Sequence, residues 1–346
     1  MIVPEENSKN AGATPFQKEL YAHLIRWKHE HVTCESGIIR RKDKYGIVHE
    51  YPNDAILPDY IMTPNPMLYP AIVPGLLQHQ ERFPFKFHKH FNHVASSQAA
   101  NMNLFLPILL HPRANEVFGI IKPGFKMLAI EELYKGFRIE FWDGNTPEEK
   151  GLLGDHTPNA GTDAYIAIAY FKHEDQLCLW LIEHKLTEKE FTECGGKKSP
   201  GRERIAKCDC SRSFADIIAD KDLCYYHYKC RYEYWNLTEQ NQTFFKNHHG
   251  SDFCPFSSGM NQLWRNQLLG FALERQGKFS KVTFSVVKHP RNNDLDNTIK
   301  EYQKLTGNDP AFSVLSLMSF IDAARSTGDI ELDRWAAWYC ELYNVY

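Results

Sequence analysis

The sequence lacks any apolar run long enough to cross a membrane. Its longest uninterrupted apolar stretch, around 104–110, contains Pro107 and falls far short of the roughly 20 residues that a membrane-spanning helix needs. The first residues also lack the basic segment and the apolar segment of a secretory signal. We therefore expect a cytoplasmic protein without a membrane partner.

A strong excess of positive charge is also missing. The chain carries 40 Lys and Arg against 43 Asp and Glu, which gives a formal net charge of −3 at pH 7. Proteins that coat nucleic acid without specificity are usually basic over the whole domain. The charge argues against that class and leaves room for a local basic patch.

Cysteine is scarce for a chain of 346 residues, since nine are too few for a disulfide scaffold of this length. Without a secretory signal, these cysteines are expected to be thiols or metal ligands. The hydrophobic content of 43% and the charged content of 24% are those of a globular protein. Fibrous, collagen-like and wholly disordered chains are therefore excluded.

The N-terminal part begins with a helix and then loses its regular pattern. Thr14 as N-cap, Pro15 at the first helical position and Gln17 in a capping box predict a helix over about 14–30. Further on, seven of the 18 prolines lie within 51–84, and each removes a backbone donor. We therefore predict an irregular, mostly loop-built region over 35–90, in a first domain over 1–90.

The remaining chain, 91–346, is predicted to be one α/β domain with a polar, cysteine-bearing insert over 192–257. The predicted elements are a helix at 93–106 ended by Pro107, a short helix at 127–135, strands at 136–142, 163–171 and 177–186, a helix from Ser258 to Gly277, a strand at 281–287 and a helical tail at 295–343. A short polar turn joins the second and third strands, which predicts an antiparallel hairpin. The third strand is apolar on both faces, which predicts a central strand covered on each side.

A charged group follows that third strand directly. Side chains alternate along a strand, so Glu183 and Lys185 should point to one face and His184 to the other. Hairpin pairing can bring Asp163 beside Glu183, and two converging carboxylates repel unless a cation or a proton lies between them. Oxygen ligands of this kind favour a hard ion such as Mg²⁺. A structural ion pair at a strand end is the alternative interpretation.

These residues resemble the PD-(D/E)xK nuclease superfamily, which has the restriction-endonuclease-like fold. The resemblance is carried by Asp163 at the start of one strand, by Glu-x-Lys on the next, and by the order helix-strand-strand-strand-helix-strand. The segments 157–163 and 182–191 are similar to an uncharacterised bacterial branch of restriction endonucleases. The resemblance covers roughly 93–290 and departs at one motif position, where Thr162 replaces proline before Asp163.

The resemblance implies hydrolysis of DNA phosphodiester bonds, in restriction or another defence against foreign DNA. Asp163, Glu183 and the backbone carbonyl of His184 would hold Mg²⁺ or Mn²⁺, which would polarise the phosphate and lower the pKa of a bound water. Lys185 would orient or deprotonate that water and neutralise charge on the phosphoryl oxygens. Cutting both strands with this fold commonly needs two sites, which favours a homodimer.

Many relatives carry an additional Glu on the first core helix, whereas this helix offers Gln98, Asn101 and Asn103. Glu140 on the first strand is the candidate substitute. Helix capping or a polar surface explains Gln98 and Asn101 more simply than catalysis does. Gln262 on the later helix is equally compatible with facing the site or the solvent.

The insert concentrates cysteines and cations. Five of its six cysteines fall within 37 positions, namely Cys194, Cys208, Cys210, Cys224 and Cys230, and Cys254 follows shortly after. This density favours a structural Zn²⁺ or iron–sulfur cluster that fixes the segment, although no CxxC pair is present and free thiols are an equal alternative. The first part of the insert, over 193–212, holds six cations against three acids: Lys197, Lys198, Arg202, Arg204, Lys207 and Arg212. These cations can contact phosphates or form a solvated face, and the aromatic run at 225–235 can stack on bases or form a local core.

Three functions remain open at the level of sequence. The first is a Mg²⁺-dependent deoxyribonuclease. The second is a non-catalytic nucleic-acid-binding protein that keeps the nuclease fold and a structural metal, which the charge of −3 and the missing helix acid allow. The third is an RNA-directed nuclease, because nothing in the predicted site senses a 2′-hydroxyl.

Overall fold

The structure is a computed structural model that describes residues 12–144, 146, 148–157, 160–198, 208, 210–248 and 252–346. The helices are α1 (Pro15–His31), α2 (Val73–Arg82), α3 (Ser97–Leu109), α4 (Ala114–Ile121), α5 (Gly195–Lys198), α6 (Phe214–Ala219), α7 (Tyr225–Tyr228), α8 (Tyr234–Gln240), α9 (Asn261–Arg275), α10 (Asp296–Thr306), α11 (Leu317–Ser326) and α12 (Ile330–Tyr343). The strands are β1 (Gly37–Lys42), β2 (Val48–Asn53), β3 (Phe125–Leu128), β4 (Phe137–Phe141), β5 (Ala164–Lys172), β6 (Leu177–Lys185), β7 (Lys281–Lys288) and β8 (Phe312–Ser316).

A six-stranded mixed sheet organises the fold. Its order is β3-β5-β6-β7-β8, and β4 also pairs with β5, so β3 and β4 follow one another along the same edge. The β5–β6 pair is antiparallel, whereas β6–β7 and β7–β8 are parallel. The predicted hairpin and the predicted α/β order of helix, three strands, helix and strand are confirmed.

Strand β6 is the central strand that its composition predicts. Trp180 and Ile182 pack into one hydrophobic core, and Leu179 and Leu181 pack into a second core on the other face of the sheet. Each of these four side chains is fully buried. Burial on both faces explains why β6 reads as a continuous apolar run without alternation.

Helix α1 begins as predicted. The Thr14 hydroxyl accepts a hydrogen bond from the Gln17 backbone N–H at 3.3 Å, and the Gln17 side chain accepts one from the Thr14 N–H at 3.0 Å. Leu20 and Leu24 on this helix are buried in the first core, beside α12. The helix therefore packs against the same core as the sheet.

The prediction that 35–90 is mostly loop is wrong in part. Strands β1 and β2 form a separate antiparallel ribbon, and α2 follows it. Pro74 is tolerated in the first turn of α2, because a backbone N–H there has no partner within the helix. The clustered prolines therefore do not exclude regular structure when they lie at its ends.

Pro107 does not end α3, contrary to the sequence prediction of a helix at 93–106. The proline removes the N–H that would bond to the carbonyl of Asn103, four residues earlier. The indole N–H of Trp335 on α12 donates to that carbonyl at 2.8 Å. A tertiary contact thus replaces the missing helical hydrogen bond, and α3 continues to Leu109.

Three further predictions need correction. The helix expected at 127–135 is the end of β3 followed by turns, where Leu133 and Lys135 adopt positive φ angles of 54° and 56°. Ser258 is extended and does not cap α9, which begins at Asn261. The tail is not helical throughout, because β8 pairs in parallel with β7.

The described residues between β6 and α9 include short helices, of which α6 and α8 pack on the second core. Within the aromatic run, Tyr234 and Trp235 are buried there and Tyr226 and Tyr232 pack against them as local core, whereas Tyr228 is exposed. Within the described ranges, no single helix is long and apolar enough to cross a membrane. The consecutive helices α3 and α4, bent by 115° relative to each other, meet that criterion only as a pair and by length and composition.

Candidate active site

The candidate site lies at one end of the sheet, where β5 begins and β6 ends. Because the two strands are antiparallel, Asp163 just before β5 lies near Glu183 and Lys185 at the end of β6. The first turn of α3 and the first turns of α9 face the same place. The fold therefore brings together the three residues that the sequence singled out.

Glu183 and Lys185 form a buried ion pair. The Lys185 Nζ lies 3.0 Å from Glu183 Oε1, and Lys185 and Glu183 are only 4% and 1% exposed, respectively. Gln262 on α9 bridges them, because its amide oxygen accepts from Lys185 at 2.9 Å and its amide nitrogen donates to Glu183 at 2.7 Å. Asn266, one turn further along α9, donates to the other Glu183 oxygen at 3.3 Å.

The charge state of Lys185 follows from its neighbours. Burial lowers the pKa of Lys185, but the carboxylates of Glu183 and Glu188 outweigh it and hold that pKa above its ordinary value. Lys185 is therefore an ammonium at neutral pH. This charge suits neutralising and orienting roles better than the role of a general base.

Asp163 is half-buried and lies near charged groups of both signs. Burial raises its pKa, the Arg265 guanidinium opposes that shift, and the carboxylate of Asp155 adds to it. Arg265 on α9 donates to the Gly161 carbonyl at 3.4 Å and to the Thr162 hydroxyl at 3.3 Å. The segment that carries Asp163 is thus attached to α9.

Asp155 also contacts the segment before β5 and Arg265. Its Oδ2 accepts hydrogen bonds from the hydroxyls of Thr162 and Tyr234 and lies 3.9 Å from the Arg265 guanidinium. Thr162 directly precedes Asp163, at the position where the motif that the sequence resembles has proline. Its hydroxyl therefore fixes the approach to β5 through a hydrogen bond that a proline could not make.

Glu140 on β4 also reaches the site. Its backbone has a φ of 49°, in the left-handed region, which costs a non-glycine residue roughly 1–3 kcal/mol and occurs often at functional sites. Burial, and then the charge of Asp163, raise the pKa of Glu140 well above its ordinary value. Gln98 on α3 donates to its Oε1 at 3.0 Å. Glu140, held by Gln98, therefore lies within electrostatic range of Asp163 and Glu183, and its role as a substitute for the acid that α3 lacks stays a prediction.

The polar residues of α3 divide between two roles. Gln98 contacts the site, whereas the Asn103 side chain donates to the Met67 carbonyl and to the Tyr343 hydroxyl and supports the core. Asn101 donates to the backbone carbonyl of Tyr165 at 3.3 Å. Gln98 and Asn101 are buried and Ser96 caps α3, so helix capping or a polar surface explains neither of them.

His184 points away from Glu183 and Lys185, as strand alternation predicts. It is fully buried, and burial lowers its pKa to about 4, so the ring is neutral near pH 7. Its side chain takes no part in the group around Lys185. The proposed role of its backbone carbonyl as a metal ligand stays a prediction.

Sequence reasoning missed Asp155, Glu188, Arg265 and Asn266. The signal for Asn266 was its spacing of four residues from Gln262, which places both on one face of a helix. Glu188 accepts from the backbone N–H groups of Leu186 and Thr187 at 2.8 and 3.0 Å. Burial raises the pKa of Glu188, but Lys185 and a hydrogen bond with Ser97 outweigh it and hold that pKa below its ordinary value.

The donor set has the chemistry of a Mg²⁺ site. Asp163, Glu183 and Glu140 are hard oxygen donors whose raised pKa values are consistent with burial and mutual repulsion, which a cation would relieve. Across the described residues, no three His, Cys, Asp or Glu side chains are already grouped to hold a metal ion. The fit to Mg²⁺ therefore rests on the chemistry of the donors.

Several cysteines of the insert lie near one another. The thiols of Cys208 and Cys224 interact, and this interaction lowers the pKa of Cys224 to about 6. Cys194 lies within electrostatic range of Cys208, whereas Cys230 interacts with Tyr232. All nine cysteines are free thiols, and the structural metal stays a prediction.

Two further cysteines lie beside this group. The Cys254 backbone N–H donates to the Cys210 carbonyl at 3.1 Å, and Cys254 lies within electrostatic range of Cys194 and Cys224. Cys254 was not among the predicted ligands. Of the predicted phosphate-binding cations, Arg202, Arg204 and Lys207 lie outside the described residues.

Comparison with known proteins gives one match. The model of a family described as "Restriction Endonuclease associating with ARP" matches residues 23–344. No curated protein and no solved structure matches the chain. Because the matched range covers most of the chain and includes every element of the candidate site, the chain belongs to the family of restriction endonucleases associating with ARP.

Proposed function

We propose that this chain is a metal-dependent endonuclease that hydrolyses DNA phosphodiester bonds in the cytoplasm, in restriction or another defence against foreign DNA. Membership of the family supports a nuclease-like role in defence. The finer proposal is carried by one observation, the convergence of Asp163, Glu183 and Lys185 at the meeting of β5 and β6.

The proposed cofactor is Mg²⁺ or Mn²⁺. When bound, such an ion would supply a Lewis acid that polarises the scissile phosphate. Asp163 and Glu183 would hold it, with the backbone carbonyl of His184 as a further ligand. Glu140 is placed to add a fourth oxygen, and Gln98 holds that carboxylate in position.

Lys185 is proposed to orient the attacking water and to neutralise the charge that develops on the phosphoryl oxygens. Its raised pKa keeps it charged for this purpose. Gln262 holds the ammonium and Glu183 together, so both groups keep one orientation as the substrate enters. A fixed cation of this kind needs little reorganisation during the reaction.

Arg265 is proposed as a positioning residue for Asp163. The guanidinium favours the ionised form of Asp163 and bonds to the residues just before it. An ionised Asp163 is required for metal binding, since a protonated carboxyl is a poor ligand. Arg265 thus acts on the reaction through Asp163.

The test is cleavage of a supercoiled plasmid by the purified chain with Mg²⁺, Mn²⁺, Ca²⁺ or EDTA. We expect nicked or linear product with Mg²⁺ or Mn²⁺ and none with EDTA. Binding of DNA without cleavage in any ion would favour the alternative of a non-catalytic nucleic-acid-binding protein. Cleavage of RNA in preference to DNA would identify the substrate as RNA.

Two variants separate the proposed site from general damage. Lys185→Ala should abolish cleavage, whereas His184→Ala changes a side chain on the opposite face of β6 and should reduce cleavage much less. Both are compared at a temperature where circular dichroism shows each variant folded. A greater reduction in His184→Ala than in Lys185→Ala would contradict the proposed assignment of the two faces.

A further inference from the structure

We propose that the β1–β2 ribbon, residues 37–53, is an arm that enters a groove of the duplex DNA held at the candidate site. The inference rests on the proposed function, because it takes DNA as the substrate. It goes beyond that function by assigning the DNA-contacting element to a part of the chain outside the nuclease core.

The ribbon is exposed on both faces. It does not pair with the six-stranded sheet, and every residue of β2 except Asn53 is exposed to solvent. Five large apolar or aromatic side chains on the ribbon are at least 39% exposed: Ile38, Tyr45, Ile47, Val48 and Tyr51. An isolated two-stranded ribbon gains little stability from such side chains, so their exposure indicates a partner.

The ribbon is basic in a chain that is acidic overall. Residues 37–53 hold four Lys and Arg against two Asp and Glu, whereas the whole chain has a formal charge of −3. Both acids are engaged within the ribbon. Glu50 pairs with Arg40 at 2.8 Å, and Asp43 accepts two backbone N–H groups of the turn and pairs with His49 at 3.0 Å.

The other three cations have no ion-pair partner among the described residues. They are Arg41, Lys42 and Lys44. Arg41 lies 5.9 Å from the centre of the Tyr51 ring, and Lys44 lies 4.9 Å from the centre of the Tyr45 ring. Aromatic and cationic groups side by side suit a sugar–phosphate surface, because the cations contact phosphates and the rings cover apolar sugar and base edges.

The base of the ribbon is fixed to the segment that leads into α3. The Leu57 N–H donates to the Asn92 carbonyl at 2.8 Å, and the Val94 N–H donates to the Ala55 carbonyl at 2.9 Å. Gln98 is four positions after Val94, a distance of at most about 14 Å along an extended chain. The ribbon therefore starts close to the site that would cut the DNA.

Gly37 explains how tightly this base is packed. A Cβ at Gly37 would lie 2.5 Å from the Leu57 carbonyl oxygen and 2.6 Å from the Ile56 side chain. The Gly37 N–H also donates to the Ile56 carbonyl at 2.8 Å. Only a residue without a side chain allows this approach, so the arm extends from a rigid base.

Duplex DNA fits these features better than a protein partner does. The major groove is about 12 Å wide and admits a two-stranded ribbon. Six residues of a strand span about 20 Å, which is enough to cross that groove. A protein interface would be depleted of unpaired lysine, whereas phosphates are complementary to it.

The test is the salt dependence of binding to a 30-base-pair duplex, measured by fluorescence anisotropy in EDTA to prevent cleavage. The variant combines Arg41→Ala, Lys42→Ala and Lys44→Ala. The control combines Lys126→Ala, Lys278→Ala and Lys281→Ala, which change the net charge equally at the opposite end of the sheet. Thermal unfolding confirms that both variants are folded.

We expect the ribbon variant to bind more weakly and to lower the slope of log K against log salt by about one for each phosphate that the ribbon no longer neutralises. The control should keep the wild-type slope. An unchanged slope in the ribbon variant, with wild-type cleavage intact, would overturn this inference and leave the proposed function standing. Failure of the wild-type protein both to bind and to cleave DNA would overturn the two together.

Discussion

The charge of Asp163 depends on its surroundings. Burial and Asp155 raise its pKa above the ordinary 3.8, and burial raises that of Glu183 above 4.5. A group with a raised pKa takes up a proton at a higher pH than usual. Metal-dependent cleavage should therefore fall on acidification at a pH where ordinary carboxylates are still ionised.

Asp155→Asn tests the origin of this acid limb, which is the acidic part of the pH profile where the cleavage rate falls. Removing the negative charge of Asp155 lowers the pKa of Asp163, so the limb should move to lower pH. The measurement is the single-turnover cleavage rate from pH 4 to pH 8. Asp175→Asn, at an exposed acid at the far end of the sheet, is the control and should leave the limb in place. A limb that stays in place or moves to higher pH in Asp155→Asn would contradict the assigned effect of Asp155 on Asp163.

At the scale of single elements, α3 depends on a contact from α12. Trp335→Phe removes the N–H that bonds to the Asn103 carbonyl and leaves a buried acceptor without a partner, at a cost of about 1–3 kcal/mol. Chemical denaturation measures this cost. Trp338→Phe is the control, because the Trp338 indole is half-buried and makes no hydrogen bond to any described residue. Equal destabilisation in the two variants would mean that Pro107 needs no replacement bond.

The insert can be tested through its cysteines. If four thiols hold a structural metal, Cys224→Ser should release it and increase proteolysis between about 192 and 255, since folding and binding form one equilibrium. Cys230→Ser, at another predicted ligand, should have the same effect, whereas Cys34→Ser, at an exposed cysteine outside the insert, is the control and should not. Elemental analysis for zinc and iron is the measurement. Protein prepared without chelator that contains neither metal would contradict the prediction.

The sequence predicted the elements whose own residues specify them. The capping box of α1 and the apolar run of β6 are local signals, and both elements were predicted within one or two residues. The extension of α3 past Pro107 depends on Trp335, which is 232 residues from Asn103. A local sequence pattern cannot indicate a contact between residues so far apart in the chain. The predicted end of α3 was wrong for this reason.

At the scale of the whole molecule, the candidate site also combines residues that the sequence predicted with residues that it missed. Asp163, Glu183 and Lys185 were predictable because hairpin geometry relates them. Asn266 lies 83 residues from the Glu183 oxygen that it contacts, and Arg265 lies 103 residues from Thr162. These two residues join the site only because α9 packs against β7 beside the central strand.

We predict that the protein cleaves DNA as a dimer. One site cuts one strand, so two copies are needed for a coordinated double-strand break. Light scattering on the protein bound to duplex DNA should give two chains of 40.2 kDa per duplex. Only nicked plasmid at every protein concentration, with one chain per duplex, would contradict this prediction.

The central claim is that Glu183 takes part in metal-dependent cleavage of DNA. Single-turnover cleavage of supercoiled plasmid in Mg²⁺ by Glu183→Gln tests it most directly, with Glu190→Gln as a control at an exposed acid nearby. We predict that the rate of Glu183→Gln falls at least about a hundredfold, because an amide is a poor ligand for Mg²⁺. Its thermal midpoint should change little, because Glu188 and Asp163 still face Lys185. A folded Glu183→Gln protein that cleaves at the wild-type rate would contradict the account.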